Sequence, residues 1–297
     1  MRGTRRDLFV GAALLACAIV VPFAFGDRYA ITQATLFFLW ATVVTQWNLA
    51  LGVGGVFSLA QMALFAFGAY GTAMLGYYGG WPLWLAMPAA ALGTVIASIL
   101  VGLACLRLKG PYVALLSLAI AQVVYLMIIN DTECFTTDEG GCMPLFGGVR
   151  GISRFGDLGF RDWLGSRYIV ADYFLALFLL ALAFAFTIII VRGPFGLAFK
   201  SLRDNPAYAV ARGISRFRYQ LWIFALSAFF TGLAGSVYAA HFRVVGPTIF
   251  SFTLLLFLLS MIVVGGMGST WGPLIGAAAL MLADEGLKEF QAWHALG

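Results

Sequence analysis

The sequence predicts an all-α integral membrane protein, a polytopic bundle of about eight to ten transmembrane helices with glycine-broken segments. Three observations lead there. Of 297 residues, 62% are apolar and 10% charged, which gives a mean hydropathy of +0.94, far outside the range of soluble globular chains. The apolar residues fall in runs close to the ~20 residues that a bilayer crossing needs. The alternating apolar and polar pattern of a membrane barrel is missing, so the spans are helices. Eighteen basic and thirteen acidic residues cannot cover a water-soluble fold of this size. A soluble enzyme, a disordered regulator and a nucleic-acid-binding domain are therefore excluded, and the pI of 9.1 reflects topology. Residues 1–297 read as a single transmembrane domain.

The first apolar run, Leu8 to Phe25, follows Arg2, Arg5 and Arg6. Its Leu14-Leu15-Ala16-Cys17 resembles a lipoprotein processing site, but no polar tether follows Cys17, and the run continues through Pro22. It reads as a retained span. Further runs are centred on Ile31–Leu51, Val56–Tyr78, Leu83–Leu106, Tyr112–Ile129, Val170–Val191, Leu221–Ala240, Phe252–Val264 and Leu274–Ala283.

Lys and Arg near span ends mark the cytoplasmic side. The three arginines put the N-terminus inside, and alternation then puts Arg107 and Lys109 inside, the 130–168 loop outside and the 193–219 loop inside. Charge agrees: Arg192, Lys200, Arg203, Arg212, Arg216 and Arg218 face one acid, Asp204, in the inner loop, while the outer loop carries six acids and four arginines. Cys134 and Cys142 share that outer loop, where an oxidising compartment permits a disulfide; two free thiols are the alternative. Cys17 and Cys105 read as small packing residues.

A carrier driven by an ion gradient usually needs an ionisable group at bilayer depth, and none is evident: Asp172 lies at the outer edge of a span, and Asp284 and Glu285 follow the last one. The chain has no phosphate loop, since its lysines, Lys109, Lys200 and Lys288, never follow glycine. With only His241 and His294, an H-E-x-x-H zinc site is impossible, and no Ser-His-Asp constellation presents itself. No cofactor or metal is expected.

Glycine, 35 residues in all, is concentrated in two places. Asn48 to Gln61 contains Gly52, Gly54, Gly55 and Ser58; Val264 to Pro273 contains Gly265, Gly266, Gly268, Ser269 and Gly272. Such clusters inside apolar runs suggest discontinuous helices whose free N–H and C=O groups a polar solute can borrow. Their placement, one in each half, hints at an internal repeat. Close helix packing is the alternative, and it is the preferred reading for two stripes of small residues: Gly268, Gly272 and Gly276, and Ser227, Thr231, Gly235 and Ala239. Whether Gly265–Pro273 is a re-entrant turn or a link between two crossings stays open.

The inner loop reads as two short helices. Asp204 or Asn205 is an N-cap before Pro206, and Gly213 is a C-terminal stop. Phe195, Phe199 and Leu202 share a face of the first helix, with Lys200 and Arg203 elsewhere. That pattern suits a partner groove, and suits a lipid surface slightly better.

The segment Gly193–Ile214, continuing through Ala225–Ala239, resembles the inner-membrane permeases of branched-chain amino-acid ABC importers, the LivM type. So do Gly55–Tyr70, Arg107–Tyr112 and Gly265–Pro273. The departures are Leu197 where relatives have Arg, Pro206 where they have Glu, and Ala60 in place of glycine. The resemblance implies a bacterial inner-membrane permease domain with its N-terminus in the cytoplasm. It implies as partners a LivH-type permease, two ATP-hydrolysing subunits that bind the ATP, and a periplasmic solute-binding protein. The solute is a branched-chain amino acid or a related urea, amide or aromatic acid. It also makes the inner loop a coupling element, with Phe195 and Phe199 as the docked face and Gly196, Lys200, Arg203 and Asp204 beside them. The expected pathway residues are Asn48, Ser58, Gln61, Gly265, Gly266 and Ser269. A secondary carrier or channel needing no ATPase is the competing class, and a structural or receptor-like subunit a third.

Overall fold

The computed structural model describes residues 11, 18–20, 22, 27–108, 110–138 and 141–295. Arg2, Arg5, Arg6, Cys17 and Lys109, with most of the first apolar run, lie outside the described residues. Those residues of that run that are described are helical, and the Ala18 carbonyl accepts a bond from the Tyr173 hydroxyl at 2.5 Å.

The protein is an all-α polytopic bundle. Its helices are α1 (Arg28–Asn48), α2 (Gln61–Tyr77), α3 (Leu83–Cys105), α4 (Tyr112–Ile129), α5 (Phe160–Leu164), α6 (Tyr168–Arg192), α7 (Pro194–Asp204), α8 (Pro206–Ala211), α9 (Arg216–Phe242), α10 (Phe252–Gly265) and α11 (Gly272–Ala295). Among the described residues, five are long and apolar enough to cross a membrane: α1 with its extension to Val53, α3, α4, α6 and α9. The 17 residues of α2 and the 14 of α10 reach only ~26 and ~21 Å at 1.5 Å per residue. The run expected from Val56 becomes helical only at Gln61, because residues 54–60 form an irregular bridge.

Helix α1 is the buried centre, with Leu39, Ala41, Val43, Val44 and Trp47 all at or below 1% exposure. It packs against α6, α9 and α11. Helix α9 packs on α2 and α3 through backbone contacts that only glycine permits: a Cβ at Gly68 would lie 2.0 Å from the Gly232 carbonyl oxygen, and one at Gly235 lies 2.1 Å from that of Phe65. The Ser227–Ala239 stripe is thus a packing face, as its spacing suggested. Around this core, Leu92, Ile96 and Leu100 of α3 and Leu115, Val123 and Met127 of α4 are exposed, the composition of a lipid or partner-subunit face.

Contacts sort the connections onto two ends. The loop end carries residues 130–168. There β1 (Thr136–Asp138) and β2 (Gly141–Met143) form an antiparallel hairpin, with Cys134 and Cys142 joined in a disulfide. The Tyr78 hydroxyl donates to the Pro144 and Leu145 carbonyls, and burial, with Tyr77 and Asp131 adding, pushes its pKa up so that it stays a donor. Strand β3 (Ile152–Ser153) pairs with β4 (Val244–Val245), which follows α9. Arg243 binds Asp157 at 2.9 Å. His241 of α9 meets Asp172 of α6 at 3.0 Å, both nearly enclosed; the acid read as marginal to the span is a buried partner of a histidine.

The opposite end carries the α7–α8 pair and is called the helix-pair end below. Pro194 opens α7, and Asn205 caps α8 by accepting from the Tyr208 amide at 3.1 Å, with Pro206 at the first helical position. Gly213 stops the pair with φ of +82°. Helices α10 and α11 run antiparallel and meet at Gly265 and Gly272, so Gly265–Pro273 is the turn of a helical hairpin. A Cβ on Gly265 would stand 2.0 Å from the Gly272 oxygen, and one on Gly276 1.9 Å from that of Met261. Tyr29, at the loop end of α1, donates to Glu285 of α11 at 2.5 Å. The far part of α11 therefore lies at the loop end.

Candidate functional site

Both glycine-rich breaks end at the helix-pair end, and they touch. Helix α1 does not stop at Asn48 but widens into a π-helical turn, Leu49–Val53, in which the Gly54 amide reaches back five residues to Leu49 and the Val56 amide reaches Ala50. Widening releases the Gly52 carbonyl from the helical ladder. Arg203, at the end of α7, donates to it from Nη1 at 2.6 Å. The Arg203 Nε binds Asp204 at 2.8 Å, so one guanidinium serves its own helix end and the broken end of α1.

Asn48 grips the link between α10 and α11. Its Oδ1 accepts from the Gly268 amide at 2.8 Å and its Nδ2 donates to the Ser269 carbonyl at 3.0 Å. A single side-chain amide thus satisfies a donor and an acceptor of a turn that has no strand partner. The turn needs positive φ at Gly266 (+94°) and Gly268 (+79°). It also needs room: a Cβ on Gly52 would stand 2.4 Å from the Gly268 nitrogen, and one on Gly268 2.7 Å from Arg203 Nη1.

The bridge from Gly54 to Ala60 is anchored on both sides. Trp47 Nε1 donates to the Ser58 carbonyl at 2.9 Å, and the Leu59 amide donates to Ser117 Oγ of α4 at 2.9 Å. Ser58 Oγ accepts from the Ala60 amide, and Gln61 Nε2 donates to Thr231 Oγ1. Gly55, Val56 and Phe57 line a small cavity with Leu106, Pro111, Arg216 and Gln220. Four segments far apart in sequence, 48–61, 106–113, 193–216 and 265–273, thereby converge on one end of the molecule.

The expected site residues divide. Asn48, Gly265, Gly266 and Ser269 come together with Arg203 in this junction. Ser58 and Gln61 are buried and engaged within the chain, away from the Asn48 bonds. In the coupling segment the expectation for Phe199 is corrected. It is 1% exposed and packs against Tyr219 in a cluster with Val53, Val56 and Phe224. Leu202 is buried too. The apolar stripe faces this chain, and what stands outward is Phe195, Leu197, Tyr208 and Val210, each more than half exposed. Gly196 is a close-approach position, where a Cβ would lie 2.2 Å from the Val191 oxygen. Lys200 is half-buried, and Arg203 points into the molecule. At Gly266 a Cβ would meet nothing nearer than 3.8 Å, so backbone conformation constrains it, while Gly52 and Gly265 carry the close approaches.

Sequence reasoning passed over a polar thread along the enclosed α1. Thr35, Thr42, Thr45 and Gln46 are buried there. Gln46 Nε2 binds the Ala183 carbonyl and Thr187 of α6, while Gln46 Oε1 and Thr45 Oγ1 are enclosed without a partner among the described residues. A polar pair inside an apolar run was the available signal.

Comparison with known proteins bears directly on this arrangement. The family model described as "Branched-chain amino acid transport system / permease component" matches residues 29–296. The chain belongs to that family. Two relatives named high-affinity branched-chain amino acid transport system permease protein LivM cover 98% of this permease and are covered over 71% of their own length. That of Salmonella typhimurium is 30% identical and that of Escherichia coli 31%. The guanosine ABC transporter permease protein NupQ of Bacillus subtilis is 24% identical over 71% of the permease and 67% of its own length. No solved structure matches the permease. A multi-pass membrane permease of this type is what the fold and the relatives describe together.

Proposed function

We propose that this permease is one of two membrane subunits of an ATP-driven importer in a bacterial inner membrane. It carries a branched-chain amino acid or a related small polar solute inward, with its N-terminus and α7–α8 in the cytoplasm. One observation carries the reading. The α7–α8 pair presents Phe195, Leu197, Tyr208 and Val210 to the outside at the end where, among the described residues, the basic side chains face one acid, Asp204, while its buried side and Arg203 touch the glycine junction. A helix pair that is apolar outward and bonded inward suits docking to a partner whose movement reaches the membrane helices.

The partners in this reading are a LivH-type permease, two subunits that bind and hydrolyse ATP, and a periplasmic binding protein that delivers the solute. The chain itself does no bond-making chemistry and holds no cofactor. Names of the relatives support the solute class: two are branched-chain amino acid permeases and a more distant one is a guanosine permease. The lipid-surface alternative for α7 loses its basis with Phe199 and Leu202 turned inward.

Gentle purification from native membranes tests the proposal, comparing the natural chain with Leu197→Asp. The natural chain brings down a second permease and phosphate-loop ATPases. The variant, altered at a position 70% exposed, keeps the permease partner and loses the ATPases. Recovery of the natural chain alone, still competent for gradient-driven uptake, overturns the importer reading in favour of a secondary carrier.

A further inference from the structure

Arg203 and Asn48 each bond to backbone around one short segment, Arg203 onto it and Asn48 from it. The Arg203 guanidinium holds the Gly52 carbonyl at 2.6 Å. Four residues earlier, Asn48 holds the Gly268 amide and the Ser269 carbonyl at 2.8 and 3.0 Å. Between them Gly52 lies so close to the turn that its missing Cβ would stand 2.4 Å from the Gly268 nitrogen and 2.3 Å from Asn48 Oδ1. The peptide of Gly52 therefore cannot swing without displacing Asn48 or the turn. Because interiors are close-packed, such contacts change between discrete arrangements rather than yielding by degrees.

From these contacts we infer that Arg203 is a positioning residue that transmits movement of the α7–α8 pair to the α10–α11 link. The Asn48 grip on Gly268 and Ser269 is the gate contact that this movement releases. The inference rests on the importer reading for its driving force, though not for its geometry. The path is continuous: α7 to Arg203, Arg203 to the Gly52 carbonyl, the π-turn to Asn48, and Asn48 to the link. Arginine suits the position for two reasons. Its methylene stem lies along Gly55, whose absent Cβ would sit 3.2 Å from Arg203 Cγ. Its planar fork offers separate donors to Asp204 and Gly52, which the single ammonium of lysine cannot match in the same geometry. Arg203 Nη1 also packs beside Gly268, where a Cβ would stand 2.7 Å away, but its hydrogen bond is made to Gly52, so the bonded route to that segment runs through α1.

Hydrogen–deuterium exchange on the full chain reads this directly. In the purified permease, Arg203→Gln is expected to speed exchange in residues 265–272 about tenfold, the change that follows from losing one charge-assisted bond. Exchange unchanged in that segment overturns the inference and leaves Arg203 a cap on α1. In the assembled transporter, a non-hydrolysable ATP analogue is expected to alter exchange in 265–272 for the natural chain and not for Arg203→Gln, with Arg203→Lys restoring part of the response. An undiminished nucleotide response in Arg203→Gln also overturns it. Failure of the natural chain to assemble with ATPases removes the importer reading, while the isolated-chain comparison still decides the transmission.

Discussion

At the loop end, α6 and α9 are tied by side chain to side chain, His241 to Asp172, and Arg243 adds an ion pair to Asp157. A disulfide and the β3–β4 pairing close the same end. At the helix-pair end, the ties run from side chain to backbone, from Arg203 to Gly52 and from Asn48 to Gly268 and Ser269, across contacts that only glycine allows. Side-chain pairs and a covalent bond fix where elements stand. Side chains that hold free carbonyl and amide groups fix how a broken helix end is folded, and releasing them leaves the helices themselves intact. The two ends of this permease thus differ in kind, and the second kind is the one that the proposed movement requires.

The largest expected effect comes from crowding the helix-pair end. Gly52→Val puts a branched side chain where even a Cβ meets the Gly268 nitrogen at 2.4 Å, and overpacking of this kind costs roughly 3 kcal/mol. Thermal unfolding in detergent should show it, with uptake lost in membranes. A variant as stable and active as the natural chain would mean that the two breaks do not bear on each other. Next comes the loop end. Asp172→Ala leaves His241 enclosed without its partner and should cost about 1–3 kcal/mol, whereas Asp172→Asn keeps a hydrogen-bonding group and should recover most of it. Equal losses for Ala and Asn would show that charge rather than the bond holds α6 to α9. The smallest effect is expected from Cys134→Ser. The bridge spans eight positions, and it closes an exposed hairpin that the rest of the bundle does not rest on. Because such a hairpin can open without the bundle unfolding, the loss should be read locally, with the global transition nearly unmoved, while limited proteolysis within residues 134–142 becomes faster.

Much of this was legible in the residues. Apolar runs located the spans, charge sorted the loops onto two ends consistently with the contacts, and Asn205-Pro206 with Gly213 gave the boundaries of α8. The direction of the α7 stripe was not legible. Amphipathic spacing names a face and leaves open what covers it, and Phe199 is covered by Tyr219 and Val56 of its own chain. The start of α2 was hidden because Val56, Phe57, Leu59 and Ala60 are apolar whether helical or not. Asn48 and Ser269 were each singled out as polar groups at a break, yet nothing local shows that residues some 220 positions apart satisfy each other. Gln46 and Thr45 were overlooked because two polar residues barely lower the hydropathy of the run around them.

The pairing of β3 with β4 bears on how the chain is made. Ile152 and Ser153 emerge with the loop after α4, but their partners Val245 and Val244 are synthesised only after α6, α7, α8 and α9. The loop-end cap therefore waits, half-built, until the ninth helix has entered the bilayer. Its disulfide hairpin can close early and on its own; the β3–β4 seam waits for α9, and the junction at the other end waits longer still, because Asn48 finds its partners Gly268 and Ser269 only after α10 has been made.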